Sequence, residues 1–557
     1  MIGAQWLLTG YIGVSWTLYG RATGVRRECE DKGYRVDRLK ALGRVLPRVA
    51  VAVGAGALLG LAFEPHDHPW LTVIAVPLFL AALNGASAKA GFLIGAGFGI
   101  TYYAVLVPWL TVIGGDAAIA LAILEGLFYA LFGLFATQVL KLKLWMLWIP
   151  CLWVATEFAA ASVPFGGFPW GRLAWALSDS PVGKLASLVG IPGLSFVVAL
   201  LGVLVYAVLR LKSSVRLRIV ALVAGVAIVG GSSLMNLSTE GDGKTVRAAM
   251  VQGNVPGKGL EFLGRARTVT RNHLNATLDL QKRVEEGTEA KPDIVIWPEN
   301  STDIDPFKDA ETKADIEEAV KAVDVPILVG AVLEGPGPNE RQTAGVVWDP
   351  VSGPGQVYAK RHPVPFGEYI PFRDQLLPYI KRLEMIGRQT APGKVPGVMP
   401  IRGITYGDVI CFELAYDNVI SDVIKGGAQV LVVQTNNATY GGTGQPEQQF
   451  AITRMRAIET GRTVLIASTS GISGVIQPDG KVEHKSAQFV PDVYVANVPV
   501  RDTETLASKL GGWPQWILTG LGILGIVLAL VARRRRRDDN GPEAPPAPTR
   551  SREKVPV

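Results

Sequence analysis

The chain has 557 residues, 49% of them hydrophobic and only 18% charged, and a net charge of +7. It is too long for one ordinary domain and too apolar for an ordinary soluble protein, so a membrane protein is the first expectation. The three cysteines, Cys29, Cys151 and Cys411, exclude a disulfide framework. Much of the positive charge is the run Arg533 to Arg537 directly after the last apolar segment, which suits an anchor at the inner membrane surface and argues against nucleic-acid binding.

In chain order, residues 1–45 form an N-terminal extension in which 2–20, "IGAQWLLTGYIGVSWTLYG", are read as an extra or partial membrane segment. They lack the basic start of a signal peptide. A spanning helix needs about 20 apolar residues, because each rises about 1.5 Å across a layer about 30 Å thick. Seven segments approach that length, at approximately 46–63, 70–84, 90–110, 117–140, 144–163, 191–209 and 217–236, forming a membrane domain over 46–237. An eighth follows at 513–532. Glycine-rich strings such as "VGAGALLG" and "GFLIGAGFG" suit close helix packing in lipid. Lys and Arg gather in every second loop (Arg35 to Arg48, Lys89, Lys141 to Lys143, Arg210 to Arg218, and after the last span), which predicts that those loops are cytoplasmic. The loops "FEPHDHPW", "VIGGDAA" and "FGGFPWGRLAWALSD" then face outward with the whole globular part. In that extracytoplasmic setting an unpaired thiol more often has a use. The basic, Pro-rich tail at 533–557 is expected to be cytoplasmic and disordered.

Residues 244–505 have the charge density of a soluble domain. Apolar β-branched runs ("TVRAAMVQGNV", "DIVIWPEN", "VPILVGAVLEG", "AGVVWDP", "GDVICFELAY", "AQVLVVQTNNATY", "TVLIASTSGISGVIQPDG") alternate with helical stretches such as "RTVTRNHLNATLDLQKRVEEG" and "PEQQFAITRMRAIETG". Strands buried on both faces and separated by helices predict an α/β layered sandwich. Glu299, Lys360 and Cys411 each follow an apolar run, at the strand ends where such folds present side chains to a crevice.

Their chemistry is coherent. A thiol with a pKa of about 8.5 needs a base or a nearby cation to become a nucleophile. Glu299 has the chemistry to take its proton, and Lys360 to stabilise the charge. The Lys360 ammonium and the Phe412 backbone N–H are candidate donors to the oxyanion formed when the thiolate attacks an acyl carbonyl. A thioester would then await a second nucleophile, which the same carboxylate would deprotonate.

"IWPEN", "YAKRHPVPFGEYIPF" and "ICFELAY" resemble the Glu, Lys and Cys motifs of the nitrilase (carbon-nitrogen hydrolase) superfamily. With eight flanking spans and the loop "FGGFPWGRLAW", the chain from 46 to 532 is similar to the apolipoprotein N-acyltransferase family, bacterial lipoprotein-processing enzymes. The resemblance implies a polytopic α-helical membrane domain with an extracytoplasmic nitrilase-like α-β-β-α sandwich at 244–505. It implies Glu299 as general base, Lys360 as thiolate and oxyanion stabiliser, and Cys411 as nucleophile. Glu368, Phe412 and Glu413 match supporting active-site positions. The implied reaction moves an acyl chain from a membrane phospholipid to the α-amino group of the diacylglyceryl-modified N-terminal cysteine of apolipoproteins, with no metal or organic cofactor. A monomer in the bacterial inner membrane is expected. Two departures stand out: Thr439 occupies a position where the family usually has Trp, and "GKGLEF" lacks a tryptophan some members carry. Alternatives with the same motifs are a membrane-anchored amidase or nitrilase, and an inactive lipoprotein-binding scaffold.

Other residues read more plainly. Cys151 lies in an apolar helix as a small hydrophobe, and Cys29 sits among charges without an evident partner. Glu64, His66, Asp67 and His68 are too few of the usual ligands for a metal site. Glu157, a carboxylate within a span, requires a partner and is expected to help orient the loop containing Trp170 and Arg172. Those two residues mark either the interface belt or a route for lipid to the crevice.

Overall fold

The computed structural model describes residues 43–210, 214–255, 257 and 267–539. The segment 2–20, Cys29, most of "GKGLEF" and the tail beyond 539 lie outside the described residues. Seven helices build the first part: α1 (Gly43–Gly60), α2 (Thr72–Leu83), α3 (Ala88–Leu106), α4 (Gly115–Val139), α5 (Trp145–Ala160), α6 (Ala186–Leu209) and α7 (Val215–Ser233).

Among the described residues, six helices are long and apolar enough to cross a membrane, the sixth being the C-terminal one; the segments near 70–84 and 144–163 form shorter apolar helices. α2 has 12 residues with Pro77 inside it, and α5 has 16 with Pro150. A 12-residue helix rises only about 18 Å. α6 is broken at Gly190, whose φ of 70° only a glycine adopts without strain, so its continuous part starts close to the expected 191. The N–H of Ile191, freed by the break, donates to Glu459 Oε1 at 3.0 Å.

α3 and α4 pack through glycines spaced four apart. A Cβ on Gly95 would lie 2.1 Å from the Tyr129 carbonyl oxygen, and one on Gly133 would lie 2.2 Å from that of Gly91. The string "GFLIGAGFG" is therefore one face of a backbone-to-backbone contact.

Two sheets form the second part. The first has the order β13-β1-β2-β3-β4-β5, with β6 beside β4, and the second the order β12-β11-β10-β9-β8-β7, where β6 is Gln389–Thr390, β7 Val398–Ile401, β11 Gly474–Ile476, β12 Val482–Lys485 and β13 Asp492–Val500. The strands that matter for the site are β1 (Lys244–Gln252), β2 (Ile294–Ile296), β3 (Ile327–Glu334), β4 (Glu340–Asp349), β5 (Gly353–Ala359), β8 (Ile404–Ile410), β9 (Val430–Thr435) and β10 (Val464–Ser468). β1, β2 and β3 are parallel. β4 runs antiparallel between β3 and β5, which returns the carboxyl end of β5 to the same edge as that of β2. β8, β9 and β10 are parallel as well.

Ile296, Leu328, Met399, Ile410 and Val432 belong to the apolar layer between the sheets. α8 (Thr268–Glu285) and α9 (Ala310–Val323) cover the outer face of the first sheet. α11 (Asp417–Lys425) and α12 (Gln445–Thr460) cover the second sheet, and their apolar residues join the core of the membrane helices in one cluster. The layers are thus α-β-β-α, with the last helical layer clamped against the membrane domain. After the short helices α10 (Arg373–Leu376) and α13 (Leu506–Leu510), α14 (Trp513–Asp539) packs against α5. There a Cβ on Gly522 would lie 2.6 Å from the Cys151 carbonyl oxygen, so Cys151 is a packing residue of that contact. α14 continues seven residues past the expected end at 532, because arginine is a good helix former.

Candidate active site

The parallel edges bring the three strand-end residues together. Glu299 follows β2, Lys360 follows β5, and Cys411 follows β8 from the opposite sheet. Glu299 and Lys360 are 3% and 1% exposed. Cys411 is partly buried, and its φ of 54° turns the chain sharply off the strand into a 3-10 helix, Cys411–Ala415. A non-glycine residue held in that region costs of order 1–3 kcal/mol and persists only where its surroundings enforce it.

Lys360 Nζ lies 2.8 Å from Glu299 Oε1 and 2.9 Å from Glu368 Oε2. Burial opposes its charge, but the two carboxylates outweigh burial and hold the ammonium well above its ordinary pKa. Glu299 is pushed up by burial, against the pull of Lys360. Its other oxygen accepts from the Asn436 N–H at 2.8 Å, just past β9. Glu368 accepts from the Val364 N–H at 2.7 Å, which fixes the turn in "PVPFGEY". Burial, then Glu299, push the Cys411 thiol up to about 12, against Lys360. Burial therefore favours the neutral thiol at Cys411, and any reaction at this sulfur would need a base beside it.

Glu413 is fully buried and accepts four hydrogen bonds: from the N–H groups of Arg361 (2.6 Å), His362 (3.0 Å) and Ile410 (3.0 Å), and from the Tyr358 hydroxyl (2.8 Å). With its lone pairs committed it braces the loop after Lys360 against the turn at Cys411. Phe412 points its ring toward the membrane domain, stacked on Trp170 at 5.6 Å and on Phe168 at 5.8 Å. Its N–H lies in the first turn of the 3-10 helix, where no intrahelical acceptor exists.

Trp170 and Arg172 are both buried, at 2% and 5% exposure, so neither lies on an open surface. Arg172 pairs with Asp417 at 2.5 Å. It also lines a separate cavity of about 410 Å³ whose walls include none of Glu299, Lys360, Glu368 or Cys411. Glu157 accepts from the Leu173 N–H at 2.9 Å and the Trp153 indole at 3.1 Å, so it does hold the loop that carries Trp170 and Arg172. Thr439 stands in a short helix beside Tyr440, and it is Tyr440 that supplies an aromatic ring, edge-on to Trp109 at 5.1 Å.

In the cluster near the end of α1, the carboxylates of Glu64 and Asp67 approach Asp179 within 4.8 Å. No histidine joins that group among the described residues, and Arg454 already forks onto Asp179 at 2.7 Å. Four residues that contact the candidate site or the rings packed against it were not singled out in the sequence: Asn436, Tyr440, Arg456 and Gln448. Asn436 and Tyr440 had a signal in "QTNNATY", since they directly follow β9. Arg456 and Gln448 sit on α12, where nothing in the sequence distinguishes them from its other polar residues.

The profile described as "Apolipoprotein N-acyltransferase N-terminal domain" matches residues 55–204, and that described as "Carbon-nitrogen hydrolase" matches residues 247–508. An apolipoprotein N-acyltransferase from Mycolicibacterium smegmatis is 36% identical over 526 residues, covering 89% of this chain and 87% of that one. Another, from Shewanella oneidensis, is 28% identical over 535 residues, covering 90% and 98%. Among solved structures, an amidase from Nesterenkonia sp. is 16% identical, covering 46% of this chain and 91% of that one, with a TM-score of 0.33. With both domains matched in order and more than a third of the residues shared along nearly the whole of the mycobacterial relative, this chain belongs to the apolipoprotein N-acyltransferase family.

Proposed function

We propose that the chain transfers an acyl group from a membrane phospholipid to the α-amino group of a diacylated apolipoprotein, through a thioester on Cys411. The observation that carries this reading is a buried cluster of two carboxylates and one ammonium beside the Cys411 thiol, with the next residue, Phe412, stacked on Trp170 of the membrane domain. Glu299 takes the thiol proton as the sulfur attacks the donor's ester carbonyl, and Lys360 and the Phe412 N–H receive the developing oxyanion. The glycerol oxygen leaves with the proton, giving a lysophospholipid and the thioester. Glu299 then deprotonates the incoming amine, which forms the amide and restores the thiol. Glu368 keeps Lys360 in place, and Trp170 forms part of the wall the acyl chain passes. Arg172 holds the loop behind that wall.

The site faces outward in this reading, and charge placement supports it. Partial burial lowers the pKa of Lys141, and the charges of Arg533 and Arg536 lie close enough to lower it further, so two of the basic regions share one end of the bundle. Reporter fusions after Ala532 and at Gly243 are expected to read as cytoplasmic and external, and the same side for both overturns the orientation.

The deciding experiment is incubation of the purified protein with phospholipid, detection of a Cys411 thioester by mass spectrometry, and then addition of a diacylated lipopeptide. Amide product is expected. Free fatty acid without amide makes the chain a hydrolase. A Cys411→Ala variant that supports triacylation of lipoproteins in cells makes it a scaffold.

A further inference from the structure

We infer that Gln448 is a positioning residue that holds, from one amide group, the two indoles packed on neighbours of Cys411, and thereby favours long acyl chains over short ones at that sulfur. The inference rests on the acyl-transfer reading above. Gln448 lies in the first turns of α12 and is 5% exposed. Its Oε1 accepts from the indole N–H of Trp109 at 2.9 Å and from that of Trp170 at 2.8 Å. Its Nε2 donates to the carbonyl oxygens of Glu64 at 2.8 Å and Leu106 at 2.7 Å. Indoles only donate and carbonyls only accept, so the partners themselves fix which end of the amide is oxygen. The two donor hydrogens and two acceptor lone pairs of the side chain are all used.

All four partners belong to the membrane domain, whereas Gln448 belongs to the hydrolase-like domain. Glu64 follows α1, Leu106 ends α3, Trp109 lies in the short helix after it, and Trp170 lies in the loop that Glu157 holds. From the shared oxygen the indoles run to different neighbours of Cys411. Trp170 lies nearly flat on Phe412, the residue after the nucleophile, at an angle of 17°. Trp109 meets Tyr440 edge-on at 77°, and Tyr440 is within electrostatic reach of both Cys411 and Glu368. The indoles also touch each other, at 6.1 Å. Both indoles are thus tied to a single acceptor atom. None of the four hydrogen bonds of Gln448 goes to Glu299, Lys360 or Cys411, so it acts on chemistry only through the rings. A long acyl chain on the Cys411 sulfur extends far enough to depend on how these rings are packed, whereas a butyryl group ends close to the sulfur.

The test uses the full-length protein with Gln448→Met, which keeps the bulk of the side chain and removes the amide. Three quantities are measured on Cys411: thioester formation from a long-chain phospholipid, thioester formation from a butyryl ester, and alkylation by iodoacetamide. The expected result is a KM for the phospholipid raised about tenfold, with butyryl transfer and alkylation unchanged within about twofold. Trp109→Phe and Trp170→Phe keep an aromatic ring but lose the donor and part of the ring volume, and each is expected to shift the same ratio in the same direction by about threefold. They also carry the test if the Met variant fails to fold. Equal losses on both acyl donors, or no change in their ratio, overturn the inference. If the wild type is alkylated but forms no thioester with either donor, the acyl-transfer reading itself fails, which is a separate outcome.

Discussion

Two buried ionic clusters flank the turn that carries Cys411, and they differ in balance. On one side Lys360 faces two carboxylates, Glu299 and Glu368, within 2.9 Å. On the other, Arg172 and Arg456 face Asp417 and Glu459, with contacts of 2.5 to 2.8 Å. The second cluster has equal numbers of each sign. Asp417 is held below its ordinary pKa by Arg172 and Arg456 despite its burial. Arg456 also donates to the carbonyl oxygens of Leu414 at 2.8 Å and Ala415 at 3.1 Å, capping the helix that starts at Cys411. The first cluster has one carboxylate in excess, and that excess lies beside the thiol. A balanced buried network holds position, whereas an unbalanced one leaves a group able to take a proton.

The sharpest way to break this comparison is Glu299→Gln. Acyl transfer is expected to fall by about 10²- to 10⁴-fold, the usual worth of a general base. Alkylation of Cys411 by iodoacetamide at pH 8 is expected to rise in the same variant, because Glu299 is one of the charges that raise the thiol. A parallel fall in both rates would mean that Glu299 holds the site together and does not act as its base. The pH profile carries the same logic. As the proposed base, Glu299 would have to be ionised for transfer, and its pKa is raised by burial. Activity is therefore lost as pH falls through that raised value, at a higher pH than an ordinary carboxylate would give.

For the balanced cluster the prediction concerns stability. Arg456→Met leaves Glu459 without its ion-pair partner and Asp417 with Arg172 alone, and breaking a buried pair from one side costs about 3–5 kcal/mol. Thermal unfolding in detergent measures it, and a variant as stable as the wild type would make the cluster incidental. Asp417→Asn adds the sign. Because the folded-state pKa of Asp417 is depressed, its contribution is present above the unfolded value of about 3.9 and disappears as pH falls through the folded value. The difference in melting temperature between wild type and variant should close on acidification, not on alkalinisation.

The smallest expected effect is at Thr343, whose hydroxyl reaches Glu368 at the long distance of 3.5 Å. Thr343→Val should change the thioester rate by less than about threefold, since such a bond contributes about 1 kcal/mol or less. A loss comparable to that in Glu299→Gln would place Thr343 inside the reactive cluster.

Much of this architecture was legible because its causes are local. Eight apolar segments announce membrane helices, and the structure has a helix at each, although Pro77 and Pro150 mark the two that are too short for the length criterion. Glu299, Lys360 and Cys411 could be picked out because a polar residue ending an apolar run is a local signal, and the parallel edges of two sheets do bring them to one place. Strand β13 (Asp492–Val500, "DVYVANVPV") was not singled out. Its pattern is only partly apolar, and it is ordered by nine pairings along β1, almost 250 residues earlier.

The sequence by itself determined the two-part organisation, the α/β class and the identity of the candidate nucleophile, base and cation, since hydropathy, periodicity and side-chain chemistry are properties of short segments. Only the tertiary structure decided that Glu413 is a brace with four donors, that Arg172 pairs with Asp417, and that Gln448 holds Trp109 and Trp170 from across the domain contact. The physical reason is the same in each case. Whether a buried polar side chain reacts or merely supports depends on which partners satisfy it, and here most of those partners come from distant parts of the chain.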